Sequence, residues 1–360
     1  MTIEIVDVPV PEAWDDDSEG ARLLRQLVDV RNAVVVDAWG GDASHAFTYR
    51  EAWATWRSQL GQVDELRTIA LLDGEPVGRG YASRSLLEAT TVAEIDVMVR
   101  RGARGRGVGA ALADDLIGRM RARGATTFQA WVDHHPAPGP TIAPPTGFGE
   151  IPADAPHVRM LQRYGFELEQ IERMSELRLC DARDGLADLR AEAERHALPR
   201  YRVEAWAGAT PPERAEQLAA LHARMSTDAP SAGLDSEPEA WDLERLQRYE
   251  ASQIEGGRTL LRAIAVEEAS GEVVAFTTLT GTGDGTPWYQ HDTLVHGEHR
   301  GHRLGMLVKA ANLLALDARE PGAIVRTWNA EENRPMLAVN EALGFVAICS
   351  EGAWQRKDAS

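Results

Sequence analysis

Apolar and polar positions follow one another in the same order twice along this 360-residue chain. Each series predicts an opening helical region, a hairpin, an apolar strand, a glycine turn, a helix, a strand, a short helix and a closing strand. Turns at Gly74–Glu75 and Gly271–Glu272, between β-rich runs, mark the hairpins. The second series opens at TPPERAEQLAALHARM, where Thr210 and Glu213 predict a capping box and Pro211 stands at the first helical position.

The two series are also related residue by residue. DVMVRRGARGRGVGAALADDL aligns with DTLVHGEHRGHRLGMLVKAANLL, which pairs Arg104 with Arg300, and GATTFQAWV aligns with GAIVRTWNA. RMLQRYGFELEQ aligns with PMLAVNEALGFVAI at a shorter spacing, because the first series carries the insertion HHPAPGPTIAPPTGFGEIPADAP. The segment LRLCDARDGLADLRAEAERHALPRYRVEAWAG is interpreted as a connection. The repeat predicts an α/β protein of two tandem units, 1–184 and 185–360, each a mixed central sheet flanked by helices.

Charge and composition narrow the functional classes. Lys and Arg number 38 against 56 Asp and Glu, a formal net charge of −18, which disfavours general nucleic-acid binding. The first residues lack a basic, apolar signal pattern, and no apolar run approaches the roughly 18 residues of a membrane span. We therefore expect a cytoplasmic protein without a membrane partner. Cys180 and Cys349 are far apart, which argues against a disulfide framework or a thiolate zinc site.

The stretch RRGARGRGVGAAL concentrates arginine and glycine between a strand predicted to end at Val99 and a helix predicted to begin near Val108. Unpaired N–H groups at a helix N-terminus attract anions, glycine admits close approach, and arginine binds phosphate in a bidentate manner. The dinucleotide pattern GxGxxG, the Walker loop and a long RGG tract all fail to match. The local cation therefore predicts a local anion, such as a pyrophosphate.

VRRGARGRGVGAAL, residues 99–112, resembles the acetyl-CoA motif of the GNAT superfamily of N-acetyltransferases, and NRPMLAVNEALGF, residues 333–345, resembles a later helix motif of that superfamily. The tandem layout is similar to that of mycothiol synthase. The resemblance implies acetyl transfer from acetyl-CoA to a primary amine of a small molecule, by direct attack and without a metal. It implies coenzyme contacts in both series: Val97, Val99, Arg104, Gly105, Arg106, Gly107, Val108, Gly109, Ala110, Val295, Arg300, Gly301, Gly305, Asn329 and Asn333.

The two series depart from the family pattern at different places. In the first the turn is intact, but Asp154 and Leu161 stand where the later motif has asparagine and tyrosine. In the second, Arg303 replaces the middle glycine of the turn. Its size would block pyrophosphate and its charge would bind it. We favour the first series as the coenzyme site and keep catalysis in the second as an alternative.

Direct attack needs a base for the amine and donors for the thioester oxygen. The resemblance implies that the backbone N–H of Val99 is such a donor and that Glu94, five residues earlier, is the base; the same count in the second series gives Gln290. Asp96 and Asp292 are second-rank candidates. The tyrosine that would protonate the sulfur is missing from both series, where Leu161 and Asn340 stand instead, so a non-catalytic acyl-CoA-binding or scaffold protein is the rival interpretation.

Several other groups carry weaker predictions. His296, His299 and His302 are spaced like metal ligands, but arginines within the cluster oppose a cation. His134 and His135 open the insertion and would line the acceptor side or an exposed loop. Tyr164 is predicted to be a core residue. Asn329 and Asn333 have an alternative role in turns and caps. The acidic segments EAWDDDSE and DSEPEAWDLERLQRYE would favour a cationic amine. The sequence fixes neither the acceptor nor the oligomeric state.

Overall fold

The computed structural model describes residues 2–88, 90–228 and 230–358, without the side chains at positions 183 and 184. Within these residues most strands join one mixed sheet, in the order β1-β2-β3-β4-β5-β14-β8-β13-β12-β11-β10-β9. A separate pair, β6 and β7, lies in the insertion. The strands are β1 (Ile3–Asp7), β2 (Val63–Leu72), β3 (Glu75–Ser85), β4 (Val92–Val99), β5 (Thr127–His134), β6 (Thr141–Ile142), β7 (Ile151–Pro152), β8 (Glu167–Arg178), β9 (Tyr201–Ala207), β10 (Thr259–Glu267), β11 (Val273–Gly281), β12 (Trp288–Val295), β13 (Ile324–Ala330) and β14 (Val346–Lys357).

Helices cover both faces of the large sheet. One face packs against α3 in the first half and α8 in the second, while the opposite face carries α1 and α2 in the first half and α6 and α7 in the second. The α helices among the described residues are α1 (Glu19–Ala38), α2 (Tyr49–Gln59), α3 (Val108–Ala122), α4 (Pro156–Arg163), α5 (Leu179–Ala197), α6 (Pro212–Asp228), α7 (Leu243–Glu255), α8 (Leu304–Arg319) and α9 (Arg334–Leu343).

The closing strands of the two halves are exchanged. β14, the last strand of the chain, lies beside β5 of the first half, whereas β8, which closes the first series in sequence, pairs with β13 of the second. β14 and β8 pair with each other in the middle of the sheet. Trp354 of β14 is consequently buried in the apolar cluster of the first half, between β5 and α3. The two halves therefore share one sheet and part of each other's core.

Most predicted elements are confirmed. The mixed α/β architecture, the hairpin turn at Gly74, the end of β4 at Val99 and the start of α3 at Val108 agree with the sequence analysis. The segment interpreted as a connection instead contains α5, which packs against α8 and buries Leu186. The division at position 184 stays a prediction; that position lies within α5.

The predicted capping box at Thr210 is wrong. The backbone N–H of Thr210 donates to Glu250 Oε2 at 2.9 Å, and its hydroxyl also bonds to Glu250, so Glu213 is not its partner. Glu250 lies on α7 and also pairs with the fully buried Arg262. A tertiary ion-pair network has therefore taken over the groups that local capping would have used.

None of the helices in the described parts of the chain is long and apolar enough to cross a bilayer.

The strand exchange predicts that a residue near the C-terminus stabilises the first half. Trp354 is 1% exposed, so Trp354→Ala should lower the free energy of unfolding by about 3–5 kcal/mol through lost burial and a residual cavity. Val346→Ala on the same strand, where the side chain is 66% exposed, should change it by less than about 0.5 kcal/mol. Chemical denaturation of both variants checks this, and an unchanged midpoint for Trp354→Ala would contradict the exchanged packing.

Candidate active site

A gap opens between β4 and β5, which run parallel. Their pairing covers only Val92–Glu94 of β4. The Arg100 N–H donates to the Val77 carbonyl at 2.9 Å, which fixes the hydrogen-bonding alternation between β3 and β4. By that alternation the backbone groups of Val97 and Val99 point away from β3, into the gap. Both residues were predicted to hold the coenzyme, and Val99 to donate to the thioester oxygen; the structure leaves their peptide groups directed where that role requires.

The glycine turn after β4 leaves the first amides of α3 without partners in the helix. Gly105 and Gly107 have φ values of +74° and +84°, and Gly107 precedes the first residue of α3. The first helical bond runs from the Ala111 N–H to the Gly107 carbonyl, so the N–H groups of Val108, Gly109 and Ala110 have no partner within the helix. The Val108 side chain itself is buried.

The arginines of this turn are available for an anion. Arg104 uses its Nε to donate to the Val99 carbonyl at 3.0 Å, which holds the side chain across the turn. Among the described residues no carboxylate pairs with Arg104 or Arg106, and both side chains belong to exposed residues. Arg101 makes an exposed contact to Asp37 at 3.5 Å. The turn therefore combines helix amides with two unpaired cations.

The corresponding turn of the second half is neutralised. Arg303 takes the place of Gly107 with a left-handed φ of +56°, and its guanidinium pairs with Glu192 of α5. Arg300 donates to Asp228 at 2.9 Å and to the Val295 carbonyl at 3.3 Å. The predicted coenzyme residues Val295, Arg300, Gly301 and Gly305 thus come together as in the first half. Their cations, however, already have carboxylate partners, so a pyrophosphate would have to displace them.

Glu94 lies on the other face of the sheet, toward α1. Glu94 is exposed to solvent, yet partial desolvation by the surrounding protein raises the pKa of its carboxyl. Asp96 raises this pKa further and Arg79 lowers it. The Glu94 side chain is therefore reached by solvent on the α1 face of the sheet. Asp96 itself pairs with Arg79 at 2.8 Å, so its charge is compensated. Of the two predicted candidates, Glu94 is the better placed as a base.

Four carboxylates form a row on this face of the sheet: Glu94 of β4, Asp133 of β5, Glu351 of β14 and Glu172 of β8. Glu351 of β14 stands directly opposite Asp133 of β5 on one side and Glu172 of β8 on the other. Burial, followed by Asp133, Glu172 and Glu94, holds the pKa of Glu351 well above its usual range. Burial and Glu332 raise the pKa of Glu172 to about 7. Among the residues described, Glu94, Glu172 and Glu351 form no ion pair, so a cationic ligand would relieve their repulsion.

The second half presents a different set at the equivalent place. The pairing of β11 with β12 shifts register between Thr277 and Leu279, so β12 bulges and Gln290 aligns with Ile95 rather than with Glu94. Gln290 faces the core, where its amide donates to Thr277 Oγ1 at 2.8 Å. The positional correspondence of Gln290 with Glu94 that the count predicted is therefore wrong. Asp292 instead lies 3.3 Å from Nδ1 of the buried His222.

The remaining predicted residues take structural positions. Asn333 caps α9 by accepting from the Met336 N–H at 3.4 Å, and Asn329 accepts from the amide of Asn340 at 2.6 Å. Their predicted contact with the coenzyme is untested. Tyr164 packs against the first core, as predicted, but its hydroxyl also donates to Asp114 at 2.9 Å, and burial raises its pKa to about 12.

The histidines after β12 make aromatic contacts. His299 is buried and shares a 2.9 Å hydrogen bond with Tyr201, while the His302 ring centroid lies 5.4 Å from that of the same tyrosine. The described residues contain no group of three or more side chains suited to a metal. Within the insertion, a Cβ at Gly149 would lie 3.1 Å from Ile171 of β8 and 3.1 Å from Glu331.

Sequence reasoning missed Asp133, Glu172 and Glu351. Asp133 lies on β5 next to β4, but Glu351 and Glu172 belong to strands distant in sequence, and the strand exchange places β14 and β8 beyond β5 on the same sheet. Nothing in the local pattern marks them, since each is an ordinary carboxylate within an alternating strand. Of the acidic segments that suggested a cationic acceptor, EAWDDDSE lies before and at the start of α1, whereas DSEPEAWDLERLQRYE runs from Asp235, which bonds to Thr127 of β5 and Lys357 of β14, into α7.

Comparison with known proteins places this geometry in a class. Residues 33–138 match the model of the acetyltransferase (GNAT) family. A tandem GNAT protein from the clavulanic acid biosynthesis pathway superposes with a TM-score of 0.74 and 26% identity over 100% of this chain and 99% of that one. No curated protein sequence matches significantly.

Two further solved structures share the fold. One is a GCN5-related glucosamine N-acetyltransferase region of a fungal multi-domain β-N-acetylglucosaminidase, with a TM-score of 0.62 and 16% identity over 99% of this chain and 38% of that one. The other is a GCN5-related N-acetyltransferase from Sphaerobacter thermophilus, with a TM-score of 0.56 and 15% identity over 98% and 95%.

The chain therefore contains a GNAT acetyltransferase domain, and over its whole length it has the fold of a tandem GNAT protein. This class supports acetyl transfer, with acetyl-CoA as the general ligand of the fold.

The two turns can be ranked by one matched pair of variants. Gly109 and Gly305 occupy the second residue of α3 and α8, and an added Cβ would lie 3.6 and 3.7 Å from Val99 and Val295 respectively. Gly109→Glu should weaken acetyl-CoA binding at least tenfold, because a carboxylate would stand among the amides that hold the pyrophosphate. Gly305→Glu should leave the affinity unchanged. Calorimetric titration checks both, and the reverse order would place the coenzyme in the second half.

Proposed function

We propose that this protein transfers acetyl from acetyl-CoA to a primary amine of a small cationic molecule, with the coenzyme in the first half. One observation carries the proposal: the gap between β4 and β5 has unpaired cations at its end and uncompensated carboxylates on its opposite face. The first suits a pyrophosphate and the second an ammonium group. An anionic and a cationic reactant would thus meet at the gap from different sides.

The coenzyme would be held by the turn and the gap. The amides of Val108, Gly109 and Ala110, with Arg104 and Arg106, suit the pyrophosphate. The inward-facing peptide groups of Val97 and Val99 suit the pantetheine arm and the thioester oxygen. These contacts are made by the chain's backbone and by two exposed arginines, so they need little rearrangement of the core.

Glu94 would remove a proton from the ammonium form of the acceptor. An amine attacks only when its nitrogen lone pair is free. The raised pKa of Glu94 makes this carboxylate a stronger base than an ordinary glutamate. The other three members of the carboxylate row, Asp133, Glu172 and Glu351, would attract the amine and orient it. An acceptor with more than one positive charge gains most from such a row.

A second candidate places catalysis in the second half. The contact between His222 and Asp292 at 3.3 Å supplies a carboxylate–imidazole pair on that side of the sheet. Arg303 and Arg300, already paired with carboxylates, count against a coenzyme there. His222→Ala separates the two candidates, since only the second requires this side chain for turnover.

Glu94→Gln tests the assigned base. With a panel of monoamines and diamines, this variant should lower kcat about a hundredfold or more while acetyl-CoA affinity stays constant. In the wild type, kcat/KM should fall as pH drops through the raised pKa of Glu94, because the base is lost on protonation, and the variant should lack this limb. Asp96→Asn, whose parent is paired with Arg79, should have the smaller effect. Acetyl-CoA binding without turnover across the whole panel would favour a non-catalytic role.

Glu351→Gln tests the carboxylate row through two opposed effects. Burial and neighbouring carboxylates raise the pKa of Glu351 in the folded state. The contribution of this group to the free energy of unfolding is therefore fully present only below its unfolded-state pKa, and it is lost as pH rises through its folded-state pKa. The variant should therefore raise the free energy of unfolding at neutral pH by about 1 kcal/mol. It should also raise the KM of a cationic amine about tenfold.

The exposed Glu244 provides the matched control, because Glu244→Gln removes the same formal charge from a surface pair. It should change neither quantity appreciably. A loss of stability in Glu351→Gln, or an unchanged KM, would show that the row is structural.

A further inference from the structure

In the proposed acetyl transfer Glu94 is the base, but neither half has a tyrosine at the position expected to protonate the departing sulfur. Leu161 stands there in the first half and packs against the apolar core. One turn earlier on α4 is His157, which the sequence analysis did not consider. Its Nε2 lies 3.0 Å from Nδ1 of His134, the last residue of β5. An imidazole pair therefore joins the end of β5 to the first turn of α4.

His157 lies on the face of α4 that meets the coenzyme turn. Residues at i, i+3 and i+7 share one helix face, and His157, Met160 and the adjoining Tyr164 have this spacing. The Tyr164 hydroxyl donates to the Ala110 carbonyl at 3.2 Å. The Cβ position of Gly109 is 3.5 Å from Met160 Cε. This face of α4 is thus directed at the first turn of α3.

The parallel strands β4 and β5 end at the same edge of the sheet, so the imidazole pair lies at the mouth of the gap. His157 is exposed to solvent, whereas His134 is 3% exposed. Arg104 of the coenzyme turn is the charged side chain that acts on His157, and His135 and His157 act on His134. The outer ring is therefore free for a ligand, while the inner ring is held in place.

We propose that His157, oriented by His134, donates an N–H hydrogen bond to the coenzyme sulfur as it departs. The inference rests on the proposed function of the first half. His157 contacts the substrate in this assignment and is a catalytic residue; His134 is a positioning residue.

The hydrogen-bond partners select the required tautomer. Nε2 of His134 is buried without a hydrogen-bond partner among the described residues, and a buried N–H without an acceptor is less tolerable than an acceptor without a donor. The proton of His134 accordingly belongs on Nδ1, where it is donated to Nε2 of His157. The proton of His157 then belongs on Nδ1, which is left free to donate.

Neutral rings suffice for this role. Burial lowers the pKa of His134 to about 3, and burial together with Arg104 lowers that of His157. In the reaction a C–N bond forms between the amine and the thioester carbon, and the C–S bond breaks with its electron pair left on sulfur. The ammonium group has already lost one proton through Glu94 to water, and the second N–H proton, released as the amide forms, passes to Glu94. After release, the thiolate takes a proton from water and Glu94 returns its proton to water, so each acetylated ammonium group releases one net proton.

The test is the ionisation of the CoA thiol when bound to the whole protein, followed by thiolate ultraviolet absorbance against pH. Wild type should lower the apparent pKa of this thiol below that of free CoA. His157→Ala should return it upward by about one unit, a tenfold change in the ionisation constant. His157→Gln, which keeps an N–H donor, should retain part of the effect. Arg159→Ala, an exposed position on the same helix, should behave as wild type.

Desulfo-CoA, which lacks the sulfur, provides the readout for a purely structural role. Its affinity should be equal for wild type and His157→Ala, and kcat for acetyl transfer should fall about a hundredfold in the variant. Unchanged thiol titration in His157→Ala, or an equal loss of desulfo-CoA affinity, would overturn the assignment of His157 alone. Failure of wild type to bind CoA would overturn the proposed function as well.

Discussion

The backbone pairing of β14 with β5 is the constraint on which the rest of the structure depends. It closes the first half with a strand from the end of the chain, and it leaves β8 free to close the second half beside β13. Since side chains alternate along a strand, this register also decides which residues of β14 lie on the face of the carboxylate row and which enter the core. Glu351 belongs to the carboxylate row, while Trp354 fills the core under α3.

The same pairing concentrates charge that a folded protein would otherwise avoid. Carboxylates directly opposite one another on neighbouring strands repel, and partial burial strengthens the repulsion by removing water. The buried Arg262 and Arg326, in contrast, pair with Glu250 and Glu176. Among the described residues, Glu94, Glu172 and Glu351 have no such cationic partner, and the proposed cationic acceptor would supply one.

The two glycine turns illustrate how a repeated motif diverges by compensation. Both keep the strand, the turn and the helix N-terminus, and in both an arginine Nε donates to the carbonyl of the last strand residue. The second turn places Arg303 in a left-handed conformation that favours glycine, and its side chain is stabilised by Glu192 from the helix joining the halves. The ion pair holds the second turn internally, whereas the first keeps its cations available.

The sequence by itself determined the repeat, the α/β architecture, the end of β4 at Val99 and the glycine turn before α3. These follow from local information: hydrophobic period, turn chemistry and the spacing of glycines. Tertiary structure alone decided the strand exchange, the bulge that displaces Gln290 from the position of Glu94, and the network that draws Thr210 to Glu250. It also assembled the carboxylate row and the contact of His134 with His157, because both join residues whose proximity depends on long-range strand and helix packing that no local pattern encodes.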